Sequence, residues 1–89
     1  MRNAARVDKN QAEIVATLRQ LGIAVEVIGL PVDLLCCWRG VLSLLECKTD
    51  DGKLTKYQVE FISRWPGPVH IVRNSDDAIR AICGDRVME

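Results

Sequence analysis

The sequence lacks an excess of charge of either sign. Its 89 residues carry twelve Lys and Arg against twelve Asp and Glu, a formal net charge of zero with His neutral. This balance excludes a histone-like or polybasic protein, whose affinity for nucleic acid comes from bulk charge alone. It leaves open a nucleic-acid-binding protein in which a local basic rim surrounds an acidic pocket.

Long apolar runs and paired-cysteine motifs are also missing. No apolar run approaches the roughly 18 residues of a membrane-spanning helix, so we expect no membrane partner. The basic residues within positions 1–6 precede no apolar stretch, so we expect no signal peptide. The four cysteines form no Cys-x-x-Cys motif. We therefore expect reduced thiols and a cytoplasmic protein.

Length and composition indicate one globular domain over residues 1–89. The chain is 48% hydrophobic and 27% charged, which is ordinary for a folded protein, and it shows no repeat, low-complexity segment or linker. We expect residues 1–9 to form a flexible basic arm. A chain this short buries only about 60–65% of its unfolded surface, so formation of a homodimer would stabilise it.

Hydrophobic periodicity predicts seven elements in the order αβββαβα, which indicates an α/β fold with a mixed sheet flanked by helices. The predicted helices cover 11–21, 55–65 and a third segment capped by Ser75, and the predicted strands cover 24–28, 33–38, 41–48 and 69–72. Two helix starts have the spacing of a capping box, Asn10-x-x-Glu13 and Thr55-x-x-Gln58.

The second and third strands predict a pair of facing carboxylates. Arg39-Gly40 fits a two-residue hairpin turn, and the pairing that follows from it places Asp33 opposite Glu46. Directly opposed residues share a face, with Cβ atoms about 4.5–5.5 Å apart, and Lys48 lies on the same face by strand alternation. Two carboxylates so placed repel each other, and a divalent cation between them would remove the repulsion.

Asp33, Glu46 and Lys48 are suited to hydrolysis of a phosphodiester bond. Mg²⁺ prefers one or two carboxylates and keeps positions for water and phosphate oxygens. A bound metal ion activates water and neutralises charge in the transition state. Lys48 can orient or deprotonate that water, or stabilise the developing negative charge, and the residues alone favour neither role. The alternative is an edge-strand charge cluster in which Lys48 bridges two solvated acids.

Asp33 followed by Glu46-Cys47-Lys48, with a Glu on the preceding helix, resembles the PD-(D/E)xK nuclease superfamily. Within it, the chain is most similar to the small phage-type VRR-NUC domains, which are similar to Holliday junction resolvases. The likeness covers nearly the whole chain, over residues 10–22, 31–35, 39–40, 44–48, 54–59 and 69–82. The chain departs from the family at Val32, which stands between Pro31 and the Asp.

The resemblance implies a restriction-endonuclease-like fold and a Mg²⁺- or Mn²⁺-dependent deoxyribonuclease. The implied activity is that of an endonuclease on branched DNA such as Holliday junctions, carried out by a homodimer in a bacterial or phage-infected cell. The implied metal ligands are Glu13, directly or through water, Asp33, Glu46 and the backbone carbonyl of Cys47. The implied catalytic residues are Asp33, Glu46, Lys48 and Gln58. For Glu13 and Gln58 the alternative is a purely structural role in a capping box.

Basic side chains in the N-terminal arm, in turns and at a helix start are candidates for contacts with the DNA backbone. These candidates are Arg6, Lys9, Arg39, Lys53 and Lys56. The last three are expected to flank the pocket, although each alone can equally be a solvated surface charge. Two other functions stay open. One is a non-catalytic module that binds DNA or a protein, and the other is a nuclease subunit that needs a helicase or another repair partner.

Overall fold

The computed structural model describes residues 9–84, so Arg6 and most of the predicted basic arm lie outside the described residues. The described chain has an α/β fold with three helices and one four-stranded mixed sheet, which confirms the predicted class. In chain order the elements are α1 (Gln11–Gln20), β1 (Ala24–Val27), β2 (Leu34–Trp38), β3 (Val41–Cys47), α2 (Lys56–Arg64), β4 (Val69–Val72) and α3 (Ser75–Cys83).

The sheet has the strand order β1-β2-β3-β4, so β3 is an interior strand. β1 pairs with β2 and β2 with β3 in antiparallel fashion, whereas β4 runs parallel to β3 after the α2 crossover. Leu34 pairs with Leu45, which is the register that the predicted turn requires. Asp33 immediately precedes this pair on one strand and Glu46 immediately follows it on the other.

The β2–β3 turn consists of Arg39 and Gly40, as predicted. Both have positive φ, 53° and 81°, which is the requirement of a type I′ turn, whose twist matches that of the two flanking strands. The Arg39 guanidinium lies 4.3 Å from the centre of the Trp38 ring. The arginine is therefore held at the closed end of the hairpin.

The main core packs on one face of the sheet, whereas Glu46 belongs to the other face, which also carries apolar side chains. α1 and α3 contact each other and pack on the core face, where Ile14, Leu45 and Cys47 are buried. Because side chains alternate along a strand, Leu44 and Glu46 project from the opposite face. Glu46 thus lies between two core residues in the sequence and yet belongs to the other side of the sheet.

Two predicted helix caps are wrong. Asn74, in extended backbone, caps α3 by accepting the Asp77 amide at 2.8 Å. Ser75 is already the first helical residue, and its hydroxyl instead bonds that of Thr17 at 3.2 Å. Asn10 precedes α1 in helical backbone, with φ −82° and ψ −6°, and makes no side-chain cap, while its Nδ2 donates to Lys48 O.

The four cysteines are free thiols, as expected. Among residues 9–84, no helix combines the length and the apolar content that crossing a membrane requires.

Candidate functional site

The facing carboxylates are at the open end of the β2–β3 hairpin. Asp33 Oδ2 accepts the backbone N–H of Cys47 at 2.9 Å, which places this carboxylate beside the residue that follows Glu46. The carboxylate also acts electrostatically on Glu46, since its negative charge raises the pKa of that residue. The two acids predicted from strand register therefore lie together.

Glu46 is the most unusual side chain of the site. It is only 2% exposed. Burial raises its pKa from 4.5 to about 7, the charge of Asp33 adds to the rise, and the charge of Lys48 opposes it. Oε2 accepts a hydrogen bond, whereas Oε1 is buried and has no hydrogen-bond partner among the described residues. Burying an acceptor without a partner is costly, so Oε1 marks a position where a ligand atom would be stabilising.

Lys48 lies beside Glu46 as predicted from strand alternation. Its ammonium Nζ is 3.4 Å from Glu46 Oε2, and its side chain is 12% exposed. Its backbone N–H donates to Val72 O at 3.0 Å, which continues the β3–β4 pairing by one residue. The backbone of Lys48 therefore takes part in the regular hydrogen bonding of the sheet.

Gln58 caps α2 and also contacts Glu46. Its Oε1 accepts the Thr55 N–H at 2.9 Å, and its own N–H donates to Thr55 Oγ1 at 3.2 Å, which completes the capping box of α2. Its Nε2 donates to Glu46 Oε2 at 2.7 Å. An amide has a separate acceptor and donor, so the helix start and the orientation of Glu46 depend on one side chain.

Glu13 is not gathered into the site. It is exposed on α1, whose buried side chains face the core side of the sheet. Within residues 9–84, no three His, Cys, Asp or Glu side chains converge as a metal-binding group. The expected capping box with Asn10 is also wrong, because the Asn10 amide makes no cap. Asp33 and Glu46 nevertheless fit a hard cation, since Mg²⁺ is commonly held by one or two carboxylates together with water.

Two residues that sequence reasoning missed hold the backbone next to Lys48. Asn10 Nδ2 donates to Lys48 O at 3.0 Å and to Arg73 O at 2.7 Å. Arg73 directly follows β4, and its guanidinium donates to carbonyls of the segment after Lys48. The one signal in the sequence is that parallel strands end at the same edge of a sheet, which brings residues after β3 and after β4 together.

The basic candidates occupy different parts of the molecule. Lys53 and Lys56 are exposed on the loop and helix start that follow Lys48. Lys9 is exposed before α1. The expectation that Arg39 flanks the pocket is wrong, because Glu46 lies six positions after Gly40 along β3, about 20 Å at 3.4 Å per residue.

No protein-family model, no curated protein and no solved structure matches this chain.

Proposed function

We propose that the chain is a metal-dependent endonuclease that hydrolyses DNA phosphodiester bonds on a restriction-endonuclease-like fold of the PD-(D/E)xK, VRR-NUC type. The observation that supports this most directly is Glu46: a carboxylate 2% exposed, next to Asp33, with a buried oxygen that lacks a hydrogen-bond partner among residues 9–84. Like charges brought together in a buried place destabilise a protein unless a cation offsets them. Lys48 offsets only part of this charge, since the pKa of Glu46 stays raised to about 7, and a bound Mg²⁺ or Mn²⁺ would offset the rest.

The solvated-cluster alternative fits the contacts less well. It requires an edge strand and exposed charges, whereas β3 is an interior strand and both Glu46 and Lys48 are largely buried. Surface ion pairs typically contribute only about 0–1 kcal/mol and need no such burial. The geometry favours a site that excludes solvent around reacting groups.

Each side chain then has a distinct task. Asp33, Glu46 and the backbone carbonyl of Cys47 would hold the metal ion, which when bound supplies an activated water and charge neutralisation. Lys48 presents its ammonium beside the carboxylates, where it can orient that water or donate to a phosphate oxygen as negative charge develops. Gln58 holds Glu46 Oε2 through a 2.7 Å hydrogen bond and leaves Oε1 available.

The proposal is tested by incubating the pure protein with Mn²⁺ or Mg²⁺ and a panel of linear, nicked, flap and four-way DNAs. We expect metal-dependent cleavage by the wild type and by Arg80→Ala, a control that removes an exposed cation of α3 that is not among the candidate DNA contacts. We expect none by Lys48→Ala. DNA binding without cleavage would favour the non-catalytic binding module. Cleavage only after a helicase or another repair partner is added would favour a dependent nuclease subunit.

We further propose that the chain acts as a homodimer on branched DNA in the reducing cytoplasm of a bacterial or phage-infected cell. Resolving a four-way junction needs two nicks on opposed strands, which a two-fold dimer supplies. Apolar side chains that a dimer would cover are exposed next to the hairpin: Val41 is 63%, Leu42 59% and Trp65 45% exposed. A mass near 10 kDa by light scattering, or equal rates on junction and linear DNA, would contradict this part of the proposal.

A further inference from the structure

The Arg73 guanidinium donates hydrogen bonds to the loop that follows Lys48. Its Nη1 donates to three backbone carbonyls of this loop, those of Thr49, of Asp50 at 3.3 Å and of Gly52 at 3.2 Å. We name residues 49–52 the lysine loop. A guanidinium that gathers several carbonyls fixes the path of the backbone, because a charged donor makes stronger hydrogen bonds than a neutral one.

Arg73 is itself held in place from two sides. Its backbone N–H donates to Asp77 Oδ2 at 3.0 Å, in the first turn of α3. Its carbonyl accepts Asn10 Nδ2 at 2.7 Å, and the same Asn10 amide donates to Lys48 O at 3.0 Å. Asn10 therefore links the end of β3 to the end of β4 by hydrogen bonds. The Arg73 side chain extends from the end of β4 to the carbonyls of the lysine loop.

The lysine loop in turn touches the Lys48 side chain. A Cβ added at Gly52 would meet Lys48 Cδ at 3.3 Å and Lys48 Cβ at 3.4 Å, so the Gly52 backbone lies directly against the aliphatic stem. Gly52 N also donates to Thr49 O at 2.9 Å, which closes the loop as a turn. Displacement of this turn would free the stem that carries Nζ to its place 3.4 Å from Glu46.

We propose that Arg73 is a positioning residue that holds the Lys48 ammonium at Glu46 by fixing the lysine loop. Arg73 acts through carbonyls and the Gly52 backbone, without being assigned a contact to substrate. Its effect on cleavage rests on the proposed nuclease function. Its effect on the freedom of Lys48 does not, so the two can be tested separately.

The test replaces Arg73 with Gln and compares the reactivity of individual lysines in the folded protein. Trace labelling with acetic anhydride followed by mass spectrometry gives the rate at Lys48 relative to the exposed Lys53 and Lys56. We expect the relative rate at Lys48 to rise about tenfold, because local opening exposes a side chain that the loop covers. Arg80→Gln, which removes an exposed arginine from α3, is the matched control and leaves the ratio unchanged.

With a cleaved DNA substrate, Arg73→Gln also lowers kcat by about 100-fold and leaves KM nearly unchanged, as expected when a catalytic group is misplaced but binding groups are not.

An unchanged Lys48 labelling ratio in folded Arg73→Gln overturns the proposal. If the wild type cleaves no DNA, the proposed function fails and the labelling ratio alone decides. If Arg73→Gln does not fold, Arg73→Lys takes its place. One ammonium cannot reproduce the guanidinium fork, so we expect the relative labelling rate at Lys48 to rise about threefold in Arg73→Lys. A relative rate equal to that of the wild type would again overturn the proposal.

Discussion

Replacing Glu46 with Gln should stabilise the metal-free protein at neutral and alkaline pH. The native pKa of Glu46 is about 7 against an ordinary value of 4.5, chiefly because the side chain is buried. Between these two pH values the native state therefore binds more protons than the unfolded state. Stability must then fall as pH rises through this window, because the slope follows the difference in bound protons. Gln keeps the shape of the side chain and cannot ionise.

The magnitude follows from the two pKa values. A rise from 4.5 to about 7 is worth roughly 3 kcal/mol at about 1.4 kcal/mol for each tenfold change in proton affinity. The wild type has nearly all of this stabilisation at pH 4.5 and almost none of it at pH 8. The ion pair with Lys48 is lost in the variant at every pH. In the wild type this pair forms only where Glu46 is ionised, and its effect is already contained in the pKa of about 7.

The measurement is urea unfolding of both proteins in EDTA at several pH values between 4.5 and 8. We expect the stability of Glu46→Gln relative to wild type to rise by roughly 3 kcal/mol across this range. Glu60→Gln is the control, since Glu60 is an exposed acid on α2 and its replacement removes the same charge. A difference between Glu46→Gln and wild type that does not change with pH would refute the burial argument, and with it the main support for the site.

Three further predictions concern the same site and one cap. If the proposed metal site exists, Mg²⁺ or Mn²⁺ should raise the melting temperature of the wild type and of Lys48→Ala, because Lys48 is not a proposed ligand, while Asp33→Asn should lose that rise in the same thermal scan. Gln58→Glu keeps the acceptor of the capping box and adds a third carboxylate beside Asp33 and Glu46, so we expect about 1–3 kcal/mol less stability at pH 8, measured in urea. Asn74→Ala should lower the free energy of unfolding by about 1 kcal/mol and Asn74→Asp should not, because only the first removes the α3 cap.

Local patterns were enough to predict the carboxylate pair. A two-residue turn fixes the register of the strands on either side of it, so Asp33 and Glu46 follow from Arg39-Gly40 and strand alternation alone. The same geometry should have excluded Arg39 from the pocket, because a turn lies at the end of a hairpin opposite to its open side. For this pair and for Lys48, the short sequence separations made the prediction possible.

The support around Lys48 could not be predicted in that way. Asn10 and Arg73 are 63 residues apart and meet only because β4 is parallel to β3, a pairing that no local turn specifies. The Asn10 spacing instead indicated a capping box, whereas its side chain makes no cap and its Nδ2 donates to two distant carbonyls. Gln58 was left open between two roles because a spacing shows which residues can cap, but not what else the same amide reaches.

The parallel pairing of β3 with β4 also has a consequence for the order of folding. The β2–β3 hairpin brings Asp33 and Glu46 together by closing a short loop, whereas the contacts of Asn10 with Arg73 close nearly the whole described chain. Loop-closure entropy makes local pairs form before distant ones, so the acids assemble early and the lysine is fixed last. A partly folded chain would thus hold its carboxylate pair before its lysine is in place, and full chemical competence would arrive only with completion of the fold.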